Sequence, residues 1–379
     1  MNSFFLFMNV KFKRLIGALS VLIGMVVGAG FLGIPKALTF SGFVPGVIMM
    51  LVVAFVMFFM FLFTTELTLN TKKVYQMPGM IGKYLGKNFG KIAGVVFGFI
   101  SFGAMTAYLI GSSEIMSSYL PFSQTICMII YFLAISFIVL KGLSFVEKAE
   151  IYIAIALLIF LAILGFFMKN DFEWSNLALS NINDLIVPLG VILFSFGGYN
   201  AMSHVELITK SDKKLMVKAS IFGVVIPFIF FVTFAILLLG VYGNNVESVA
   251  TQSLSGTLGL IGNIIAFLAM TSSYIMSGLL LKDMLIDDYG FNKTISGLLT
   301  MSLPFIFTII VNPDFMNVLS FTGSVLSGLF ALILCATIIV HRKKIKKVYF
   351  KTPGGNFTPI FVGVFFLIAM LLLIFKNFI

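Results

Sequence analysis

The chain reads as an all-α polytopic membrane protein: eleven transmembrane helices, built as two inverted five-helix repeats with one helix appended. Three observations carry that reading. Residues are 60% hydrophobic and only 10% charged, with a mean hydropathy of +1.12, whereas a soluble domain is typically about 25% charged. Apolar runs of roughly 20 residues, the length that crosses a bilayer, follow one another along the whole chain. Two of those runs are interrupted by glycines at matching places, Gly28-Ala29-Gly30 in the first and Phe196-Gly197-Gly198 in the sixth.

Taken in order, the first five spans fall near 15–38, 43–68, 92–118, 124–140 and 149–168. The next five fall near 184–206, 217–241, 258–281, 295–311 and 317–340, and the last near 358–376. Between the second and third spans, the glycine-rich basic stretch 77–90 suits an interfacial helix and turn. After the seventh, the polar stretch 244–256 is long enough for a short lid helix. Four sections result: a cytoplasmic N-terminus (1–14), a first repeat (15–168), a second repeat (184–340), and a basic loop with the eleventh helix (341–379).

Orientation follows from the basic residues. With the N-terminus inside, 22 of the 25 Lys and Arg lie on the cytoplasmic side, in clusters such as Lys11, Lys13 and Arg14, or Lys210, Lys213, Lys214 and Lys218. Lys36, Lys169 and Lys376 fall on the other face, beside Asp171, Glu173, Asp184, Glu247 and Asp314. This is the positive-inside pattern of a cell-membrane protein, and an odd number of spans puts the C-terminus outside. The net charge of +11 therefore expresses topology, and no basic, aromatic-rich soluble face offers itself to nucleic acid. The N-terminal apolar patch precedes its charges, the wrong order for a cleavable signal peptide.

The glycine breaks are the candidate site. A helix interrupted in the bilayer leaves backbone groups that no water can satisfy, which is tolerable where the break lines a polar cavity. Matching breaks in two halves point to a secondary transporter whose substrate sits near the midplane. Around 24–35, unwinding would free amides at the start of the outer half-helix, suited to a carboxylate, and carbonyls from the inner half, suited to a small cation. Gly24, Gly28 and Gly33 would equally serve close helix packing. In the sixth span, Phe194, Phe196 and Tyr199 could contact a substrate or simply pack, and Asn200 needs a polar partner. His204 and Glu206 lie near the cytoplasmic end, where solvation or packing is the plainer role.

Two further sites follow the same logic. Thr271-Ser272-Ser273 could supply hydroxyl oxygens to a hard cation, or bond back to their own helix. Tyr108, midway along the third span, could reach a carboxylate at the first break, or could pack. No span interior holds a lysine, and Glu66 and Glu114 lie toward helix ends. There is no P-loop, no nucleophile elbow, and only two histidines, His204 and His341, so enzyme chemistry has no apparatus here. Cys127 and Cys335 sit inside apolar runs as small core residues. No cofactor is implied beyond a coupling Na+ or H+.

Gly28-Ala29-Gly30-Phe31-Leu32-Gly33-Ile34-Pro35 with Ser41-Gly42-Phe43 resembles the first-helix signature of the amino acid-polyamine-organocation superfamily, especially its amino acid/auxin permease branch. The stretch from Phe194 to Glu206, with Lys213-Lys214-Leu215 ahead of the seventh span, is similar to that superfamily's sixth-helix region. The resemblance implies a LeuT-like five-plus-five fold with an amino acid held between the first, third, sixth, eighth and tenth helices. It assigns the α-carboxylate to amides near Ala29, Gly30 and Phe31, and the amino group to carbonyls near Val26, Val27, Ser195 and Phe196. A cation site maps to the carbonyls of Gly24 and Val27 with the hydroxyls of Ser272 and Ser273. Phe31 stands where some relatives carry a polar ligand for a second cation, and the stretch 151–167 lacks the lysine of proton-coupled relatives, which together favour a single sodium. The expected activity is secondary transport of a neutral apolar or aromatic amino acid, with an amino acid-sensing receptor or a channel on the same scaffold as the alternative.

Overall fold

The computed structural model describes residues 10–71, 75–141, 146–178, 184–345 and 349–376. The start of the N-terminal segment, with Lys72, Lys73, Lys346 and Lys347, and the side chains of Lys141 and Lys148, lie outside what is described. Throughout the described residues the regular structure is helical. The first half comprises α1 (Val10–Val26), α2 (Ala29–Ser41), α3 (Phe43–Leu69), α4 (Met77–Leu85), α5 (Lys87–Tyr119), α6 (Gln124–Lys141) and α7 (Val146–Met168). The second comprises α8 (Ile186–Ser195), α9 (Met202–Thr209), α10 (Lys213–Tyr242), α11 (Gly256–Asp287), α12 (Lys293–Val311), α13 (Phe315–Phe321), α14 (Ser327–Lys344) and α15 (Phe357–Lys376).

Eight helices, counting α8 to α9 and α13 to α14 each as one rod, are long and apolar enough to cross a bilayer. A ninth is gained if α1 and α2, which meet at 49°, form one span. Two shorter apolar helices, Gln124–Val139 and Tyr152–Met168, complete the apolar set among the described residues.

The local reasons are legible. Gly86 takes φ of +103°, a conformation only glycine adopts freely, and so reverses the chain between the amphipathic α4 and the long α5. Asp212 caps α10 by accepting from the amides of Lys214 and Leu215 at 3.0 and 3.2 Å, and those bonds hold its carboxyl below the usual range. The stretch 244–256 does not form a lid helix. It makes two 3-10 turns, Gly243–Asn245 and Ala250–Ser253, pinned by the buried side chains of Val246, Val249 and Leu254 and by Ser253 Oγ accepting from the Glu247 amide at 2.8 Å. Three apolar anchors in so short a stretch leave no uninterrupted helical face.

Packing is dominated by aromatic and aliphatic contacts, as befits helices that gain nothing from hydrophobic transfer inside lipid. Phe31 meets Phe230 and Phe234 edge-on at 5.4 and 5.2 Å, tying α2 to α10. Glycines bring backbones together elsewhere: a Cβ added at Gly190 would lie 2.5 Å from Ser320 O, and one at Gly323 2.0 Å from Gly190 O. That contact seats the tenth span against α8. It coincides with a π-helical turn, Thr322–Leu326, a feature often found at functional positions.

Candidate functional site

Both interruptions exist and face each other. In the first span, α1 ends with the Val27 amide donating to Ile23 O at 2.6 Å. Gly28 leaves the helical conformation (φ −100°, ψ −137°) and α2 begins at Ala29 with no side-chain cap. The first amides of a helix have no intrahelical partner, so those near Ala29, Gly30 and Phe31 are donors without a capping side chain. In the sixth span, α8 stops at Ser195, a 3-10 segment spans Gly197–Ala201, and α9 resumes at Met202. A Cβ on Gly30 would lie 2.4 Å from Ser195 Oγ, and one on Gly198 would lie 2.4 Å from Val26 Cγ2. Each break thus admits the other because both carry glycine.

Between them lies a cavity of about 40 Å³, room for roughly three waters at ~10–15 Å³ each. Its wall holds Met25, Val26, Gly28 and Gly30 from the first span, and Phe194, Gly197 and Asn200 from the sixth. The third span adds Phe97, Ile100, Ser101, Ala104 and Tyr108, with Ser277 and Leu280 from α11 and Ser327 from α14. None of these side chains is ionisable apart from the Tyr108 phenol. Polar character comes from peptide groups, hydroxyls and one amide, a set that suits a ligand carrying both charges itself.

Of the residues expected from sequence, Val26, Gly30, Tyr108, Gly197 and Asn200 line the cavity. Gly197 has open space where a side chain would start. Ser195 closes on Gly30 with both its hydroxyl and its Cα, and that hydroxyl donates to Val191 O at 2.8 Å. Ala29 is buried at the start of α2. Phe196 packs on Phe231 at 5.2 Å, and Tyr199 lies between Phe61 and Phe330 at 6.3 and 6.4 Å. Val27 faces an apolar crevice beside Leu157 and Phe230, so only its backbone is turned toward the break. For the cation site, Ser273 Oγ donates to Gly24 O at 2.8 Å, and Ser272 is buried next to it. The Ser273 hydroxyl and the Tyr108 hydroxyl both lie 2.8 Å from where a Gly28 Cβ would be.

Several wall residues escaped sequence reasoning. Phe97, Ser101, Ala104 and Tyr108 repeat at spacings of four and three on one face of α5, and Ser273, Ser277 and Leu280 do so on α11. Extending each stripe from its first member would have found them. Ser327 gave no such signal, because the π-helical turn before it shifts its face.

Residues 11–374 match the tryptophan/tyrosine permease family. Among curated relatives, "Glutamine transporter 2" of Aliivibrio fischeri is 22% identical, over 87% of this chain and 90% of its own length. "Tyrosine-specific transport system 1" of Haemophilus influenzae is 22% identical over 92% and 94%. "Low affinity tryptophan permease" of Escherichia coli O157:H7 is also 22% identical, over 94% of both. Among solved structures, MhsT in complex with L-phenylalanine superposes with a TM-score of 0.70 at 13% identity, over 95% of this chain and 98% of that one. Mhp1, a nucleobase-cation-symport-1 family transporter in a closed conformation, gives 0.64 at 14% identity over 95% and 90%. The fold is therefore that of LeuT-type transporters, the protein is a multi-pass membrane protein, and its family is one of permeases. With a match running almost end to end, the chain belongs to the tryptophan/tyrosine permease family.

Proposed function

We propose that this chain moves a neutral amino acid with an apolar or aromatic side chain across the cell membrane by alternating access, coupled to one cation, with sodium favoured over the proton. The observation that carries the reading is the cavity between two helix breaks, whose wall offers peptide dipoles and hydroxyls and no carboxylate or ammonium. A zwitterion supplies the missing charges: its carboxylate takes the free amides near Ala29, Gly30 and Phe31, and its ammonium the carbonyls that end the inner half-helix near Val26 and Val27 and α8 near Ser195 and Phe196. Phe97, Ile100, Phe194 and Leu280 then receive the side chain. A volume of about 40 Å³ corresponds to a closed state that widens when the bundle carrying the broken helices moves against the remaining helices.

The ion assignment rests on Ser273 Oγ lying 2.8 Å from Gly24 O, two oxygens that a sodium ion would part and coordinate together with the Val27 carbonyl and Ser272. Phe31, enclosed by Phe230 and Phe234, offers no oxygen for a second ion. The wider placement in the amino acid-polyamine-organocation superfamily, eleven spans in two inverted repeats, an inside N-terminus and an outside C-terminus belong to the same proposal.

The relatives' names mention glutamine, tyrosine and tryptophan, so the side chain is found by experiment. Purified protein is screened by thermal shift against the twenty amino acids, with and without sodium, at two pH values. A ligand at 100 times its Kd stabilises by about 2.7 kcal/mol. Sodium-dependent stabilisation by an aromatic or apolar amino acid, followed by its uptake into proteoliposomes, is the expected result. Stabilisation that follows pH and ignores sodium overturns the ion. Binding without flux turns the reading to a receptor.

A further inference from the structure

Away from the transport cavity, a groove of about 460 Å³ opens on the outer surface between α5, α11 and α12. Phe99, Leu299 and Leu303 on its walls are exposed, and apart from Tyr289 and Thr300 the lining is apolar. Gly98 forms part of its floor. Glycine inside a helix costs about 1 kcal/mol relative to alanine, yet a Cβ at Gly98 would meet nothing closer than Leu281 Cδ1 at 3.9 Å. No protein group requires the glycine; its effect is to keep the groove empty. Gly94, one turn earlier, is different: the Tyr289 hydroxyl lies directly over it and donates to Gly90 O at 3.0 Å, closing the groove's end.

The charges lie at that same end. Lys87, Lys91, Val95, Gly98 and Phe102 repeat at spacings of four, four, three and four, which places them on one stripe of α5. Lys87 and Lys91 are exposed and make no ion pair among the described residues. At a rise of ~1.5 Å per residue Phe102 lies about 16 Å beyond Lys91, close to the ~15 Å depth of one hydrocarbon leaflet. Of the carboxylates ending α11, Asp288 accepts from the Gly79 amide at 2.9 Å and Asp283 faces His204 at 4.0 Å. None of Asp283, Asp287 and Asp288 forms an ion pair with either lysine among the described residues.

We propose that this groove holds one acyl chain of an anionic phospholipid from the cytoplasmic leaflet, its phosphate between Lys87 and Lys91. The inference uses the inside orientation of these lysines and is otherwise independent of the substrate reading. The long apolar lining suits an acyl chain, and the leaflet supplies both that chain and a negative headgroup for the lysines.

Native mass spectrometry of the full chain in detergent tests it, with phosphatidylglycerol titrated against phosphatidylethanolamine of identical acyl chains. The expected result is a preference for phosphatidylglycerol of roughly tenfold or more, from two lysines at an anionic headgroup. Lys87→Gln with Lys91→Gln removes the preference and keeps phosphatidylethanolamine binding. Gly98→Leu fills the groove and removes both adducts. Should Gly98→Leu not fold, Leu303→Phe narrows the groove from α12 and serves the same purpose. Equal binding of the two lipids, undiminished adducts in the filled variant, or a dimer that the filled variant breaks would each overturn the proposal.

Discussion

Two of the buried polar regions among the described residues are built on opposite principles. At the C-terminal end of α3, Glu66 is fully buried. Its Oε1 accepts from Arg342 Nε at 2.8 Å, and its Oε2 accepts from Arg342 Nη2 at 2.6 Å and from the Thr352 amide at 2.7 Å. Arg342 also donates to Gly355 O and to Thr352 O. Asn70 joins the cluster, donating to Glu66 O and Phe350 O, both at 2.7 Å, and accepting from the Tyr349 amide. Here α3, α14 and the chain leading into α15 are bound by a network in which the Glu66 and Arg342 charges are matched, while the buried His341 imidazole stands 3.7 Å from Glu66 with neither ring nitrogen hydrogen-bonded among the described residues. At the helix breaks the reverse holds: Asn200 Oδ1 and the Tyr199 hydroxyl are buried with no hydrogen-bond partner among the described residues. A matched, multiply hydrogen-bonded charge pair rigidifies. Unsatisfied groups hold free energy that a ligand can recover.

That contrast is open to direct attack, beginning with the largest effect. Glu66→Ala strands the Arg342 guanidinium and is expected to cost about 3–5 kcal/mol, read as a fall in melting temperature, while Glu66→Leu with Arg342→Met recovers most of it. A loss below about 1 kcal/mol would show that the cluster is not a fastening point.

Next come the glycines. Gly30→Val drives a side chain into the Ser195 backbone and is expected to cost about 1–3 kcal/mol, with uptake lost. Gly197→Val enters open space, so stability should stay within roughly 0.5 kcal/mol while uptake still falls at least about tenfold, the ~1.4 kcal/mol that one lost ligand contact is worth. Normal uptake in both would remove the site. Ser273→Ala gives up one hydrogen bond worth about 1 kcal/mol and should flatten any dependence of uptake on sodium. Asn200→Ala removes an acceptor that nothing satisfies, so melting should hardly change, and the apparent affinity for substrate should carry the effect.

The smallest effect lies outside the membrane. Partial burial pushes the Asp184 carboxyl up, but the Lys376 ammonium and the Ile186 amide beside it outweigh that, and it stays below the usual range. A lowered carboxylate stabilises above its unfolded pKa, and that contribution is lost as pH falls through the folded value. Lys376→Ala should therefore cost less than about 1 kcal/mol at neutral pH, and nothing in acid.

Much of this was readable before any coordinates. Helical spans follow from apolar runs because lipid permits no unpaired backbone, and the two breaks follow from glycines set in those runs. The approach of Ser273 to Gly24 lies where the family resemblance mapped a cation site, while the residues alone offered only a first-span carbonyl and an eighth-span hydroxyl. Less visible was which face each helix turns inward. Phe196 and Tyr199 flank the second break in sequence, yet their rings pack on Phe231, Phe61 and Phe330, while Phe194 and Asn200 meet the cavity.

Periodicity is a local property of one helix, and composition is a sum over the chain, so class, spans and breaks needed nothing beyond the residues themselves. Which atoms face one another depends on helices distant in sequence. The Glu66 to Arg342 bridge crosses 276 positions, Gly323 sits against Gly190, and the π-helical turn rotates Ser327 into the cavity wall. Such contacts are settled by close packing of whole surfaces, where a single methylene decides whether two backbones can touch.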